Sequence, residues 1–373
     1  MGETKFGIEA EYALIRPDGR FADFTNTAYS EVQPVIDALP DHRYPELRIG
    51  DAGIRVKNWY VEGDERFDED GQSTDLAFKG IEIRTPVFPT IEDSIRSLQE
   101  LRLRLGAELN GRGWSLAAIG FNPRTTEYRP SYAPWEKQLH ASHLGNALPE
   151  VSTLSYGPDL NFSRSDDSPR AVLERVRRLT YYSPYIVPFS FNSPVVGGAL
   201  WEGLSYRTYK RTGPRPAALG HLIGKHDHPL VKAADPPSQH LRIEFKSFDM
   251  VGDDQLLAEL FYLVLGISLA DVRDLPGAAD LPNPELHQEV ALSGFDDGEV
   301  HSQAARIVAA AQEALEAHGW SPDLPQLEEM LATRRTPAHA SRAAFAAQEP
   351  ASDGGCGEKV SLLSGAVLSD LAR

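Results

Sequence analysis

Phe6-Gly7-Ile8-Glu9-Ala10-Glu11-Tyr12-Ala13-Leu14 is the stretch from which the rest of the chain can be read. Apolar and polar residues alternate along it as on a half-buried strand, so Phe6, Ile8 and Tyr12 share one face while Glu9 and Glu11 share the other. Two carboxylates side by side repel. The arrangement persists where a cation lies between them or where both point into water. Two readings therefore stand at this point, a divalent-metal platform and a solvated strand face.

Working outward, the same alternation returns three times. Ile81 and Ile83 alternate with Glu82 and Arg84 before Pro86 ends the strand. Ser155 to Ser163 places Asp159, Asn161 and Ser163 on one face. From His240 to Asp249, Leu241, Ile243 and Phe245 oppose Arg242, Glu244 and Lys246.

Helices with apolar stripes are expected between these strands. Thr90 to Asn110 has a Thr90/Asp93 capping box, with Gly111 expected to be the left-handed residue after it. Ser168-Pro169 opens a helix running to about Tyr182, and the apolar stretch Pro184 to Phe191 follows as a second one. Asp253 or Asp254 caps a helix that is apolar around most of its circumference and must be buried. Shorter helices are expected at Val32 to Leu39, with Pro34 in the first turn, at about His301 to His318, and at Asp323 to Thr333.

Elsewhere, Trp114 to Phe121 reads as a short buried strand, and Asn122 to Leu148 as loop. The acidic run between Ile49 and Ala77, with Glu62, Asp64, Glu65, Asp68, Glu69 and Asp70, reads as a solvated loop. After Gly197, Gly198 and Gly203, the segment holding Tyr206, Arg207, Tyr209, Lys210 and Arg211 reads either as an anion-capturing loop or as a surface turn.

Composition narrows the classes. The 373 residues carry a formal charge of −17, which disfavours a nucleic-acid partner held through phosphates. The single cysteine, Cys356, excludes an intrachain disulfide and any multi-cysteine metal site. His221, His226, His228 and His240 have no helix-spaced pair that would favour zinc. The charged start and the lack of a long apolar run point to a soluble, cytoplasmic protein. Residues 1–345 are expected to form one domain, helical from about 285, and 346–373 a mobile tail.

The expected fold is α+β, a curved and mostly antiparallel sheet with helices on its apolar face and a polar trough on the other. If the strands share one sheet, Glu9, Glu11, Glu82, Asp159 and Glu244 meet in that trough. So many hard oxygen ligands suit Mg²⁺ or Mn²⁺, and a magnesium ion held by a few carboxylates ordinarily completes its shell with water and substrate phosphates. With no GxxxxGK[ST] loop and no GxGxxG after a strand, the metals would have to hold the phosphates.

In their order and spacing over Phe6 to Asp249, these motifs resemble the glutamate-cysteine ligase superfamily of carboxylate-amine ligases, whose fold is of the glutamine-synthetase type. Gly7-Ile8-Glu9-Ala10-Glu11-Tyr12 is similar to its G-x-E-x-E strand. Thr74-Asp75 with Glu82-Ile83-Arg84-Thr85-Pro86 is similar to its T-D and E-x-x-T-P segments. Asn161-Phe162-Ser163 is similar to the end of its H-x-N-F-S strand, Asn192-Ser193-Pro194 to its N-S-P turn, and Ile243 to Asp249 to its I-E-x-R-S-x-D strand.

The resemblance implies one metal on Glu11, Asp75 and Glu82 and another on Glu9 and Glu244, with ATP contacts from Asn161, Ser163, Arg242 and Lys246. It implies catalytic roles for Lys246, in the place of an arginine, and for Arg207 on a substrate carboxylate. Asp159 stands where the family has a histidine, which leaves either a carboxylate ligand or one metal fewer. The implied activity is an ATP-dependent ligase that makes an acyl phosphate of glutamate or a similar acidic amino acid and passes it to an amine or amino acid. These partners are small molecules, and an oligomer is compatible with the reading. Two other readings stay open: modification of a protein lysine in the manner of Pup ligases, and a non-catalytic nucleotide-binding or regulatory protein.

Overall fold

A computed structural model describes residues 2–41, 57–143, 149–211, 215–234 and 236–347. The strands are β1 (Thr4–Ile15), β2 (Trp59–Phe67), β3 (Ser73–Arg84), β4 (Ser115–Ala117), β5 (Pro158–Arg164), β6 (Val195–Val196), β7 (Ala199–Leu200), β8 (Ala218–Leu222), β9 (Val231–Ala233) and β10 (Arg242–Phe245). The helices are α1 (Tyr29–Ala38), α2 (Ile91–Asn110), α3 (Pro134–His143), α4 (Pro149–Ser152), α5 (Pro169–Ile186), α6 (Tyr206–Arg211), α7 (Asp254–Leu269), α8 (Pro284–Ser293), α9 (Gly298–Ala317), α10 (Pro325–Thr333) and α11 (Pro337–Ala346).

One curled sheet runs in the order β2-β3-β1-β5-β10-β8-β9, with β4 joined to β1. Its pairs are antiparallel except β8 with β9. β1 lies inside it, between β3 and β5, as a strand carrying both a core face and a site face must. Phe6, Ile8, Ala10, Tyr12 and Leu14 are buried on the core side, and Phe6 meets Phe261 of α7 edge-on at 5.5 Å. α7 is buried along nearly its whole length, because α2, α5 and α9 pack around it. Asp253 caps it by accepting from the Leu256 amide at 2.8 Å. Thr90 and Ser168 cap α2 and α5 in the same way. Among the described residues no helix is long and apolar enough to cross a membrane.

Several expectations need correction. Part of the acidic run is strand, since β2 pairs with β3 from Trp59 to Phe67 and turns through Asp68 to Gly71. The left-handed residue after α2 is Gly113, φ 79°, whereas Gly111 stays right-handed. Pro34 lies inside α1 beyond its first turn. The strand near Trp114 is confined to β4, and α3 lies within the stretch read as loop. α5 continues through Pro184 to Ile186, with a 3₁₀ turn from Val187 to Ser190 in place of a second helix. α8 and α11 lie in the region expected to be helical from about 285, where no separate bounds were given for them. Residues 348–373, most of the expected tail, lie outside the described residues.

Candidate active site

Strand register lines up the polar side chains in rows. Tyr60, Glu82 and Glu11 are lateral neighbours on β2, β3 and β1. Arg84, Glu9 and Asp159 are neighbours on β3, β1 and β5, and Asn161 faces Glu244 between β5 and β10. Two carboxylate clusters result, Glu9/Asp159/Glu244 and Glu11/Glu62/Glu82, each with ligand oxygens within 4.8 Å of one another. Like charges that close cost a few kcal/mol per pair even when well screened.

Cations and protons relieve that repulsion. The Lys246 ammonium donates to Asp159 at 2.7 Å and to Glu244 at 2.8 Å, and His221 Nε2 lies 2.9 Å from the other Glu244 oxygen. In the second cluster Lys79 donates to Glu11 at 2.6 Å and to Glu62 at 2.9 Å. Glu11 also accepts from the Gly157 amide at 2.8 Å. Arg84 donates to Glu82 at 3.1 Å and lies over the Tyr60 ring.

Burial raises every carboxylate pKa here, and the neighbours decide which stay raised. Burial dominates for Asp159, and with Glu244, Glu11 and Glu9 adding to it against Lys246, the pKa reaches about 7. Burial likewise takes Glu82 to about 8 despite Arg84. Glu62 is pushed well above the usual range by burial and then by Glu11. Glu244 goes the other way, because Lys246, His221 and Arg242 together outweigh its burial. Glu11 is also lowered, with Lys79 and Arg207 overcoming burial.

A basic wall borders the acidic trough. Asp249, fully buried, accepts from the Asn192 amide at 2.9 Å, Ser193 Oγ at 2.7 Å and Ser205 Oγ at 2.9 Å. It thereby joins the Asn-Ser-Pro turn to the start of α6. The first turn of α6 carries Arg207, 3% exposed, whose Nη2 donates to the Lys246 carbonyl at 3.2 Å. Its Nε and Nη1 have no hydrogen-bond partner among the described residues. A Cβ on Gly157 would lie 2.3 Å from that guanidinium, so the glycine permits the approach. Arg211 and Arg215 line a cavity of about 20 Å³ with Thr208, Ser247 and His287. The segment read as loop or surface turn is therefore a short helix in which Arg207 and Thr208 are buried.

The structure thus brings together Glu9, Glu11, Glu82, Asp159, Glu244, Lys246 and Arg207. Arg242 donates to Asn161 at 2.5 Å beside His221, while Ser163, opposite Lys5, ends that row further from the clusters. Asp75 is not brought to Glu11 and Glu82. It is exposed, paired in register with Arg66, and seven residues along a strand span roughly 23 Å. Sequence reasoning missed Glu62, Lys79 and the His221 contact. The Asp70-Gly71 dipeptide, a hairpin signal, could have shown that the acidic run contains a paired strand.

The donor set fits divalent metal ions. All-oxygen groups of three carboxylates suit Mg²⁺ or Mn²⁺, and in both clusters a lysine ammonium already stands between two of the carboxylates. A buried carboxylate oxygen, Glu62 Oε2, is left without a hydrogen-bond partner among the described residues.

Paired acidic clusters on one face of an antiparallel sheet, with a basic wall beside them, make up the site, and comparison with known proteins specifies the family. The family model of glutamate-cysteine ligase family 2 matches residues 5–229, and the chain belongs to that family. No curated protein sequence matches. Among solved structures, the fold is similar to a bifunctional glutathione synthetase from Pasteurella multocida, at 14% identity and TM-score 0.60. That match covers 98% of this chain and 52% of the other, so this chain spans about half the length of the Pasteurella enzyme. It is also similar to a glutamate–cysteine ligase from Francisella tularensis solved in complex with AMP, at 11% identity and TM-score 0.57, covering 99% of this chain and 89% of that one.

Proposed function

We propose that this protein is an ATP-dependent carboxylate-amine ligase that activates the side-chain carboxylate of glutamate or a similar acidic amino acid as an acyl phosphate, which an amine or amino acid then attacks. The observation that carries this reading is the meeting of Glu9, Asp159 and Glu244, and of Glu11, Glu62 and Glu82, on one face of the sheet. Magnesium ions held there would neutralise charge between the ATP phosphates and an anionic substrate.

The chain's own residues set up the rest. An acidic trough repels an acidic substrate, so cations must draw it in, and Arg207, with two nitrogens unengaged among the described residues, is suited to a substrate carboxylate. Lys246, between Asp159 and Glu244, is placed to counter charge gathering on a transferred phosphoryl group. Asn161 and Arg242, hydrogen-bonded to each other, form a polar edge of the trough suited to the nucleotide. Asp159 serves as a carboxylate ligand on this reading, in place of the family histidine.

The test is a hydroxylamine trap. With Mg-ATP and a panel of amino acids, an acyl phosphate appears as a hydroxamate with one acidic amino acid, accompanied by ADP. Tight Mg-ATP binding with neither hydroxamate nor ADP across the panel would overturn the proposal and favour a non-catalytic protein.

A further inference from the structure

The Glu11/Glu62/Glu82 cluster is built around a residue outside the strand register. Along β2 and β3, Glu62 pairs with Gly80 and Gly63 with Phe78, so Lys79 is the extra residue of a bulge. Bulges re-aim a side chain, and this one is fixed by close backbone approaches. A Cβ on Gly63 would lie 2.1 Å from the Ala77 carbonyl oxygen, and one on Gly80 would lie 2.2 Å from that of Tyr12. Lys79 is 2% exposed, its carbonyl accepts from Tyr156 Oη at 2.9 Å, and its ammonium lies over the Tyr156 ring. That ammonium bonds one oxygen of Glu11 and one of Glu62.

We infer that Lys79 is a resident counter-ion exchanged for a divalent metal, and that Glu62, in place of Asp75, completes the ligand set with Glu11 and Glu82. The inference rests on the ligase reading only in taking this cluster to hold a metal. Lys79 on Glu11 and Glu62 and Arg84 on Glu82 set two cations against three carboxylates, which leaves the cluster short of positive charge, and among the described residues the buried Glu62 Oε2 has no hydrogen-bond donor. A divalent cation supplies both, but it cannot share the Glu11 and Glu62 oxygens with a lysine held at hydrogen-bond distance, so the ammonium must swing away. Lys79 thereby holds the trough together before metal arrives and sets a threshold for uptake.

The experiment is Mn²⁺ titration of the full chain, followed by electron paramagnetic resonance, without nucleotide or amino acid. Glu62→Gln is expected to weaken one class of sites at least tenfold, Asp75→Asn less than twofold, and Lys79→Met to tighten that class severalfold. In the wild type, the lysine ¹⁵N ammonium resonance that Lys79→Met lacks should shift on adding Mg²⁺, whatever the resonance of Lys246 does. Should Lys79→Met fold poorly, Lys79→Gln, shorter and uncharged, is likewise expected to bind more tightly than wild type. Asp75→Asn as damaging as Glu62→Gln, a Lys79→Met or Lys79→Gln affinity no tighter than wild type, or an unmoved Lys79 resonance would overturn the exchange. A chain that passes these tests but traps no hydroxamate would refute only the ligase reading.

Discussion

Glu9, Asp159 and Glu244 reach one another across β1, β5 and β10, whose pairings run without a break, whereas Glu11, Glu62 and Glu82 meet beside a bulge between β2 and β3. Each cluster is bridged by a lysine, but the two differ in kind. Lys246 follows β10 directly, two residues from Glu244, and keeps 26% of its side chain exposed. Lys79 is almost wholly enclosed, at 3%. An open cation can turn towards a phosphate without leaving its carboxylates, and an enclosed one has only its carboxylates to serve. The difference suggests a division of labour, with the regular cluster nearer the chemistry and the bulged one governing metal uptake.

The sharpest way to break that comparison is to neutralise the centre of the regular cluster. Glu244 contacts Lys246 and His221 at once and carries a strongly lowered pKa. Glu244→Gln keeps the shape and removes the charge, and hydroxamate formation is expected to fall by on the order of a thousandfold, the scale of a lost electrostatic contact in a transition state. Circular dichroism should show the fold intact. A loss below tenfold would remove any privilege of this cluster over the other.

Protonation offers a second, milder separation. Asp159 at about 7 and Glu82 at about 8 keep protons in the folded, metal-free chain that the unfolded chain has already released above pH 4. The folded state therefore binds more protons in that window, and stability falls as pH rises towards 8. His221, lowered by burial, and His287, lowered by burial to about 4, act in the opposite direction, but chiefly below about pH 6.5, where an unfolded histidine still takes a proton. Between pH 6.5 and 8 the carboxylates outweigh them, because an unfolded histidine, half protonated at the start of that interval, has little charge left to lose. Urea unfolding in EDTA is expected to lose about 1–3 kcal/mol over that interval. Saturating Mg²⁺ should remove the loss, since metal binding displaces the same protons. A flat profile in EDTA would mean that the trough does not store them.

The same contrast explains what could be read in advance. Glu9, Glu11, Glu82, Asp159 and Glu244 follow from strict alternation, because a strand's side chains have a period of two and an unbroken ladder transmits it to the next strand. Glu62 and Lys79 did not, since a bulge shifts the parity by one and the acidic neighbours of Glu62 imitate a solvated loop. Asp75 was placed by resemblance alone, and distance along β3 separates it from Glu82. Arg207 stood out as a cation in an acidic chain, but its burial depends on Asp249, more than forty residues later, and no local pattern carries such a contact. In the helical region, Asn283-Pro284 and Thr336-Pro337 were start signals passed over; Asn283 does cap α8, accepting from the Leu286 amide.

The smallest expected effect distinguishes charge from shape at Lys246. If its work is to neutralise Asp159, Glu244 and a phosphoryl oxygen, a guanidinium should do it nearly as well, because a planar fork can take two carboxylate oxygens at once. Lys246→Arg is then expected to change hydroxamate formation by less than about fivefold. Lys246→Met, which leaves two carboxylates without their cation, should reduce it by roughly a hundredfold. The partial exposure of Lys246 gives the longer side chain somewhere to go. Lys79, enclosed between Tyr156 and the bulge, leaves less room for the bulkier guanidinium. Lys79→Arg should therefore disturb folding more than Lys246→Arg does, and equal tolerance at both positions would show that enclosure does not separate the two lysines.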